Sequence, residues 1–541
     1  MCTLLSIVSE GGILYHCFLA KGEVIMGGKD KPNVLLIVLD TLRCDRLSLY
    51  GNSRETSPEL DAFATNATVF EHAVSPSQWT VPAHVSIFTG LYPTTHQVIQ
   101  GYSRLSDRIP TLAEILVNAG YRAVAFCNNG LVGVLDNGLQ RGFERFYNYA
   151  GATPNRPFES RGPLGQTVAT NLRKVARRVE NQFAHSDVLF RFAHQPWITP
   201  LWTRFINFKG HTEASINDLI AYWQRHLCEH KAQPLFVFLN LMGTHLPYTP
   251  PRRTINRVAR ELRNNRRARV FIRRLNGNAA RWSSPPDPPF EDWQRAALRG
   301  FHDAEIAVQD AHLGRLFRSL DRMGTLVHTL VIVVSDHGEM HGGHDLFGHV
   351  FGVHQELVRV PLIIHGERFP TGTRVDTNVS ARRIFHTVLE AAEIQPPLSV
   401  DDPNANAAQL TLANTLDGRP DIEEGVAYAE AFPAEPILNI LRRRKPTLVD
   451  RLQLDQVRRA VHDGPYKLIT VGDSVEGLYD FTTDPAEIHD LSSTNPELTA
   501  NLQSKLRAFV DTAESLRVDG ANRSDIGPEA VKHLRALGYL D

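Results

Sequence analysis

Residues 33–40 read NVLLIVLD and residues 329–336 read TLVIVVSD. Each is a short, unbroken apolar run that stops at an aspartate. Such runs are too short for core helices and show no polar alternation, so they are expected to be strands buried on both faces. RAVAFCNN (122–129) and LFVFLNLM (235–242) have the same form. Between the runs lie helical patterns, among them TLAEILVNAG at 111–120, closed by Gly120. A longer one runs from about Asp303 to Arg322 with Ile306, Leu313, Leu316, Phe317 and Leu320. Strands alternating with helices imply an α/β fold with a mostly parallel, doubly wound sheet flanked by helices.

Open sheets of this kind bind ligands beyond the carboxyl ends of their strands. The polar residues at those ends are Asp40, then Asn128 and Asn129, then His245, then Asp336 with His337.

The chain has 541 residues, 42% of them hydrophobic, which suits one large domain with a smaller one attached. Residues 1–30 read as an N-terminal tail and 31–395 as the main domain, with insertions at 150–230 and 251–300 rich in Arg, aromatic residues and Pro. Residues 396–425 read as a linker. GPYKLITV and EGLYDF then read as antiparallel strands in a small C-terminal α+β subdomain over 426–515, followed by a tail at 516–541.

Five widely spread cysteines with no C-x-x-C pair suggest neither a disulfide framework nor a thiolate metal site, and favour a reducing compartment. The stretch TLLSIVSEGGILYHCFLA is interrupted by Glu10 and preceded by no basic residue, so it fits neither a signal peptide nor a membrane span. The expected location is cytoplasmic. A formal net charge of -1 conceals a local excess, because residues 251–282 carry eleven Arg against the single Glu261. Ile255, Val258 and Leu262 at helical spacing would make these arginines the solvated face of an amphipathic helix. The alternative is a surface that attracts anionic substrates or makes peripheral contact with a lipid membrane. No nucleic-acid reader motif accompanies the charge, so no nucleic-acid partner is expected.

The densest chemistry lies in SDHGEMHGGHDLFGH, where Asp336, His337, Glu339, His341, His344, Asp345 and His349 fall within fourteen residues. Imidazoles mixed with carboxylates suit Mn, Zn or a similar divalent ion, and Asp336 with His337 are the best ligands by position. Asp40 taken alone reads first as the cap of the next turn, and only second as a functional carboxylate. Thr80, in SQWTVPAHVSIFTG, is suited to N-cap a helix that starts near Pro82. The same position would welcome a phosphoryl or sulfuryl group at the helix N-terminus.

In order along the chain, LDTLRCD (39–45), WTVPAHVSIFTGLYPTTH (79–96), GTHLPYTPP (243–251), SDHGE with LFGH (335–349), and YKLI with LYDFTTDPAEIHDL (466–491) resemble the sulfatase family of the alkaline phosphatase superfamily. The resemblance runs from about residue 31 to about 492, and the terminal HLRALGYL also looks like a family ending. It implies an alkaline phosphatase-like fold in which Asp40, Asp336 and His337 hold a metal ion and Thr80 occupies the nucleophile position, its oxygen completing the metal set. It further implies that His245 and His349 contact the transferred group or protonate the leaving group, and it places His84 where typical members carry Arg.

Two departures matter. TVPAH replaces the C-x-P-x-R whose Cys becomes formylglycine, and Thr41 replaces a second Asp, a pattern closer to the Thr-dependent phosphodiesterases and phosphoglycerol transferases of the superfamily. A formylglycine hydrate can expel sulfate through its second hydroxyl. Thr has one oxygen, so its adduct must be released by attack at phosphorus or sulfur. The expected function is therefore a metal-dependent ester hydrolase or transferase working through a covalent Thr80 intermediate, with phosphate or phosphonate esters favoured over sulfate esters. A sulfatase without formylglycine and a non-catalytic scaffold relative are the competing readings. One divalent ion is expected, Mn or Zn, with Ca or Mg also compatible; a second would need His341, His344 or Asp345. The expected substrate is a small-molecule or lipid-linked anionic ester.

Overall fold

In the computed structural model all four apolar runs are strands; described are residues 4–9, 12–17, 31–101, 103–150, 154–157, 209–230, 233–278, 281–282, 284–395, 407–518 and 520. In chain order the central sheet comprises β1 (Asn33–Leu39), β2 (Thr68–Val74), β3 (Arg122–Cys127), β4 (Arg145–Asn148), β5 (Leu235–Leu241), β6 (Thr329–Val334), β7 (Arg359–His365), β8 (Thr373–Val375) and β9 (Val379–Ser380). Spatially the order is β8-β2-β7-β6-β1-β5-β3-β4, with β9 also on β2. Only β7 runs against its neighbours; β6, β1, β5, β3 and β4 are parallel, as are β8 and β9 with β2. The carboxyl ends of β3, β5, β1 and β6 therefore lie side by side.

Both faces of this sheet are buried, which is why its strands are apolar at every position. In β1, Val34, Leu36 and Val38 enter one core while Leu35, Ile37 and Leu39 enter the other. The first core is covered in part by α1 (Thr80–Thr89), through Val81, Val85, Ile87 and Phe88. The second is covered by α2 (Thr212–Glu229), through Ile216, Leu219 and Trp223, and by the second half of α5 (Asp292–Arg322).

Helix α5 starts eleven residues before the expected Asp303. Its first turns serve a different core: Ala297, Leu298 and Phe301 pack against the insertion helices α3 (Arg252–Val258) and α4 (Arg266–Asn276). One apolar stripe aimed at two cores has no single helical period, so the sequence pattern showed only the sheet-facing half. Of the insertion 150–230, residues 151–153 and 158–208, with Trp197 and Trp202, lie outside the described residues. The 1–30 stretch read as a tail contains a two-stranded antiparallel ribbon, Leu4–Ser9 with Gly12–Cys17. Among the described residues no helix is long and apolar enough to cross a membrane.

At the other end, four antiparallel strands, Val426–Ala431, Arg458–Asp463, Tyr466–Val471 and Ser474–Asp480, form a second sheet. Helix α6 (Pro496–Ser515) covers one face through Leu502 and Leu506, and Ala427, Ala429, Ala460 and Ile469 on the other join the first core. Within 396–425, read as a linker, Leu410 and Leu412 are buried, so the described part is packed rather than free. The two C-terminal motifs meet: Lys467 of YKLI donates to Glu487 of DPAEIHDL at 2.6 Å, with both side chains buried. Glu487 also accepts from the backbone N–H of Gln355 and lies 3.2 Å from His354 Nδ1. This buried junction ties the small sheet to the segment that follows the histidine-rich loop.

Candidate active site

Asp40, Thr80, Asp336 and His337 converge at the carboxyl edge of the sheet, all buried. Thr80 does not cap its helix. Trp79 holds the N-cap position without a side-chain cap bond, and Thr80 is the first helical residue. From there its hydroxyl leaves the helix end and lies 3.2 Å from His337 Nε2. His337 Nδ1 donates to the Gly338 carbonyl at 2.8 Å, and since a carbonyl can only accept, Nε2 presents a lone pair toward Thr80 Oγ1.

Ligand atoms of Asp40, Asp336 and His337 lie within 4.8 Å of one another. Asp40 Oδ1 and Asp336 Oδ2 are buried with no hydrogen-bond donor. Burial raises the Asp40 pKa to about 6. Burial, reinforced by the nearby Asp40 carboxylate, raises that of Asp336, and burial drives His337 well down. Two carboxylates, each with one oxygen left without a donor, and one imidazole kept neutral form a donor set that fits a divalent cation, which would relieve the cost of the buried negative charge.

Sequence reasoning noted Asn129 at a strand end but gave it no role. Its Oδ1 accepts the Leu131 N–H at 2.8 Å and caps the short helix Gly130–Gly133, which forces its Nδ2 to be the atom that donates to Asp40 Oδ2 at 2.6 Å. One Asp40 oxygen is thereby occupied and the other left for a cation. Asn129→Ser keeps a capping oxygen but cannot reach Asp40. It should weaken Mn or Zn affinity by about 10–100-fold while leaving the melting temperature near that of the parent. Unchanged affinity in a direct titration would reduce Asn129 to a helix cap.

His245 and His349 also reach the site. Their rings lie 5.1 Å apart, and His349 stands 4.6 Å from His337 between centroids. Their environments push them apart electrostatically. Burial takes His245 down to about 4. Burial acts the same way on His349, but the Glu339 carboxylate, 2.9 Å from Nδ1, outweighs it and the net shift is upward. Glu339 stood in the sequence cluster without a role; its signal was a second carboxylate three residues after Asp336 in the same histidine-rich segment.

His84 departs from expectation. Its Nδ1 donates to the Thr80 carbonyl at 2.8 Å and its Nε2 meets Asn240 Nδ2 at 3.2 Å, while burial lowers its pKa to about 4. Both ring nitrogens are engaged by the protein, so a neutral imidazole braces the Thr80 backbone at the position where the resemblance places Arg in typical members. Asn240, a polar residue inside the run LFVFLNLM, was visible as an anomaly but not as the partner of His84.

The remaining members of the cluster point elsewhere. His341 meets Tyr248 Oη at 3.0 Å, Asp345 pairs with Arg451 at 3.0 Å, and His344 stacks on His354. His344, His354 and Glu487 form the other group with metal-ligand spacing among the described residues, but Glu487 is already neutralised by Lys467. Thr41 adopts φ +57°, uncommon for a β-branched residue, and its N–H reaches Asp336 Oδ1 at 3.3 Å. A backbone donor thus serves Asp336 beside the place where the resemblance expected a second carboxylate.

The family model described as Sulfatase matches residues 32–394. Arylsulfatase K of Bos taurus is 23% identical over 512 residues, covering 90% of this chain and 83% of that protein. The multifunctional alkaline phosphatase superfamily protein PehA of Trinickia caryophylli is 23% identical over 534 residues, covering 91% and 96%. Among solved structures, the phosphonate monoester hydrolase of Agrobacterium radiobacter superposes with a TM-score of 0.59 at 20% identity, covering 89% of this chain and 96% of that one.

Proposed function

The chain belongs to the sulfatase family, and from that premise we propose that it is a metal-dependent ester hydrolase that uses Thr80 as a covalent nucleophile and favours phosphate or phosphonate esters over sulfate esters. The observation that carries this reading is the Thr80 hydroxyl, freed from helix capping and placed against His337 beside Asp40 and Asp336. The family relatives include sulfate-ester and phosphonate-ester enzymes by name, so both substrate classes are open to the fold.

A divalent cation held by Asp40, Asp336 and His337, with the Thr80 oxygen, would supply Lewis acidity toward the nucleophile and a substrate oxygen. The rest is the work of this chain's side chains. Thr80 Oγ1 passes its proton to solvent water and bonds to phosphorus as the ester oxygen leaves on the opposite side. His349, whose protonated form the Glu339 carboxylate favours, donates its proton to that leaving oxygen. His245, neutral with Nδ1 on the Leu246 carbonyl, presents its other edge to the transferred group. Water then attacks phosphorus, His349 takes its proton, and the Thr80 oxygen is released and takes a proton back from solvent water. A sulfuryl adduct would have to leave by the same route, because Thr has no second hydroxyl with which to expel sulfate.

The deciding measurement is a panel of aryl phosphate monoester, phosphodiester, phosphonate and sulfate substrates with Mn or Zn supplied in turn. Phosphorus esters should be turned over faster, and Asp336→Asn should lose both bound ion and turnover. A preference for sulfate would reverse the substrate assignment, and a parent protein that binds no ion would favour the scaffold reading. The cytoplasmic setting suggested by the cysteines belongs to the same proposal and is tested by cell fractionation.

A further inference from the structure

His245 and His349 stand on separate segments, the loop that follows β5 and the histidine-rich hairpin that follows β6. The same two segments meet a second time through side chains that the reaction does not use. Tyr248, three residues after His245, places its Oη 3.0 Å from His341 Nε2. In the hairpin His341 pairs with Phe347 and Met340 with Gly348. One further step along that ladder lie Glu339 and His349, which meet at 2.9 Å.

Tyr248 and His341 are both buried. Among the described residues the phenol is the only hydrogen-bond partner of the His341 ring, whose Nδ1 has none. His302 of α5, also buried, sets its ring edge-on to both, with centroids 5.6 Å from Tyr248 and 5.2 Å from His341. Its Nε2 donates to the carbonyl of Thr41, next to Asp40, at 3.3 Å. Two apolar side chains would fill such a space without requiring any direction. A buried hydrogen bond does require one, because either partner turned away would carry its full desolvation penalty. The Tyr248–His341 bond therefore fixes how the His245 loop and the His349 hairpin pass one another.

We propose that Tyr248 and His341 are positioning residues that hold the His349 hairpin against the His245 loop, so that His349 reaches the leaving oxygen. This role rests on the assignment of His349 as proton donor in the proposed function.

The test compares kcat/KM on phenyl and 2,4-dinitrophenyl esters of phosphate, phosphonate and sulfate. A dinitrophenolate departs without a proton, whereas a phenolate is helped by one. Tyr248→Phe keeps the ring and removes only the bond. It should lose about 10–100-fold on the phenyl ester and stay close to the parent on the dinitrophenyl ester, the pattern of a misplaced acid. Tyr248→Phe/His341→Leu orphans neither partner and should show the same selective loss, no larger than that of the single variant. Equal losses on both esters would make the bond merely structural, and losses that add would make the two residues independent; either result overturns the proposal. His349→Asn, assayed alongside, should also lose more on the phenyl ester. A selective loss in His349→Asn without one in Tyr248→Phe overturns the positioning role alone. No selective loss in His349→Asn, or no turnover by the parent, removes the proton-donor assignment and this role with it.

Discussion

Thr80→Ala is expected to lower kcat by at least about 10⁴-fold against every ester the parent hydrolyses, the scale seen when a covalent nucleophile is removed. Thr80 is the first helical residue and makes no cap bond, so the substitution should cost the helix little. A capping hydroxyl would give the opposite pattern, a stability loss of about 1 kcal/mol with activity intact. Thr80→Ser retains the oxygen and should retain turnover. In the parent, rapid quenching during turnover should leave a phosphoryl, phosphonyl or sulfuryl group on the peptide containing Thr80. Undiminished hydrolysis by Thr80→Ala would falsify the nucleophile assignment and leave His337 as the partner of a structural hydroxyl.

Lys467→Met should produce the largest loss of stability, about 3–5 kcal/mol at pH 7, because it leaves Glu487 charged and buried. Replacing both partners, as Lys467→Met with Glu487→Leu, should recover part of that loss, since an apolar pair carries no desolvation penalty. The pH dependence has a definite sign. Burial alone would raise the Glu487 pKa, but Lys467 and His354 hold it well below the ordinary value of 4.5. A depressed carboxyl contributes stability above its unfolded pKa and loses it as pH falls toward the folded one. The gap between parent and Lys467→Met should therefore be widest near neutrality and narrow below about pH 4.5, where Glu487 can protonate in the variant. Urea denaturation at pH 7 and pH 4 measures it; a gap that stayed constant would mean that the loss comes from packing. Because Glu487 also holds the Gln355 N–H, the variant should lose activity along with stability.

The sheet was legible because its signal is local. NVLLIVLD and TLVIVVSD are apolar at every position since both faces of their strands are covered, and the strand-end rule then placed Asp40, Asn129, His245 and Asp336 on one edge. What misled was also local: Thr before a Pro-containing helix reads as a cap, yet Trp79 takes that position and the hydroxyl is left for the site. His84 read as a residue in an Arg position of the site because sequence position does not show which atoms of the protein already hold its ring nitrogens.

The sequence by itself determined the strands, their order of motifs and the candidate residues, because apolar runs and motif spacing need no distant partner. The tertiary structure alone decided which members of the histidine-rich cluster act together. The loop doubles back as a hairpin, Met340–His341 against Phe347–Gly348, so side-chain direction follows strand register rather than spacing. Glu339 is thereby set against His349, whose ring stands beside His337, and His341 against Tyr248. The bond from Asn129 to Asp40 likewise joins residues 89 positions apart, a contact that exists only once β3 and β1 end on the same edge.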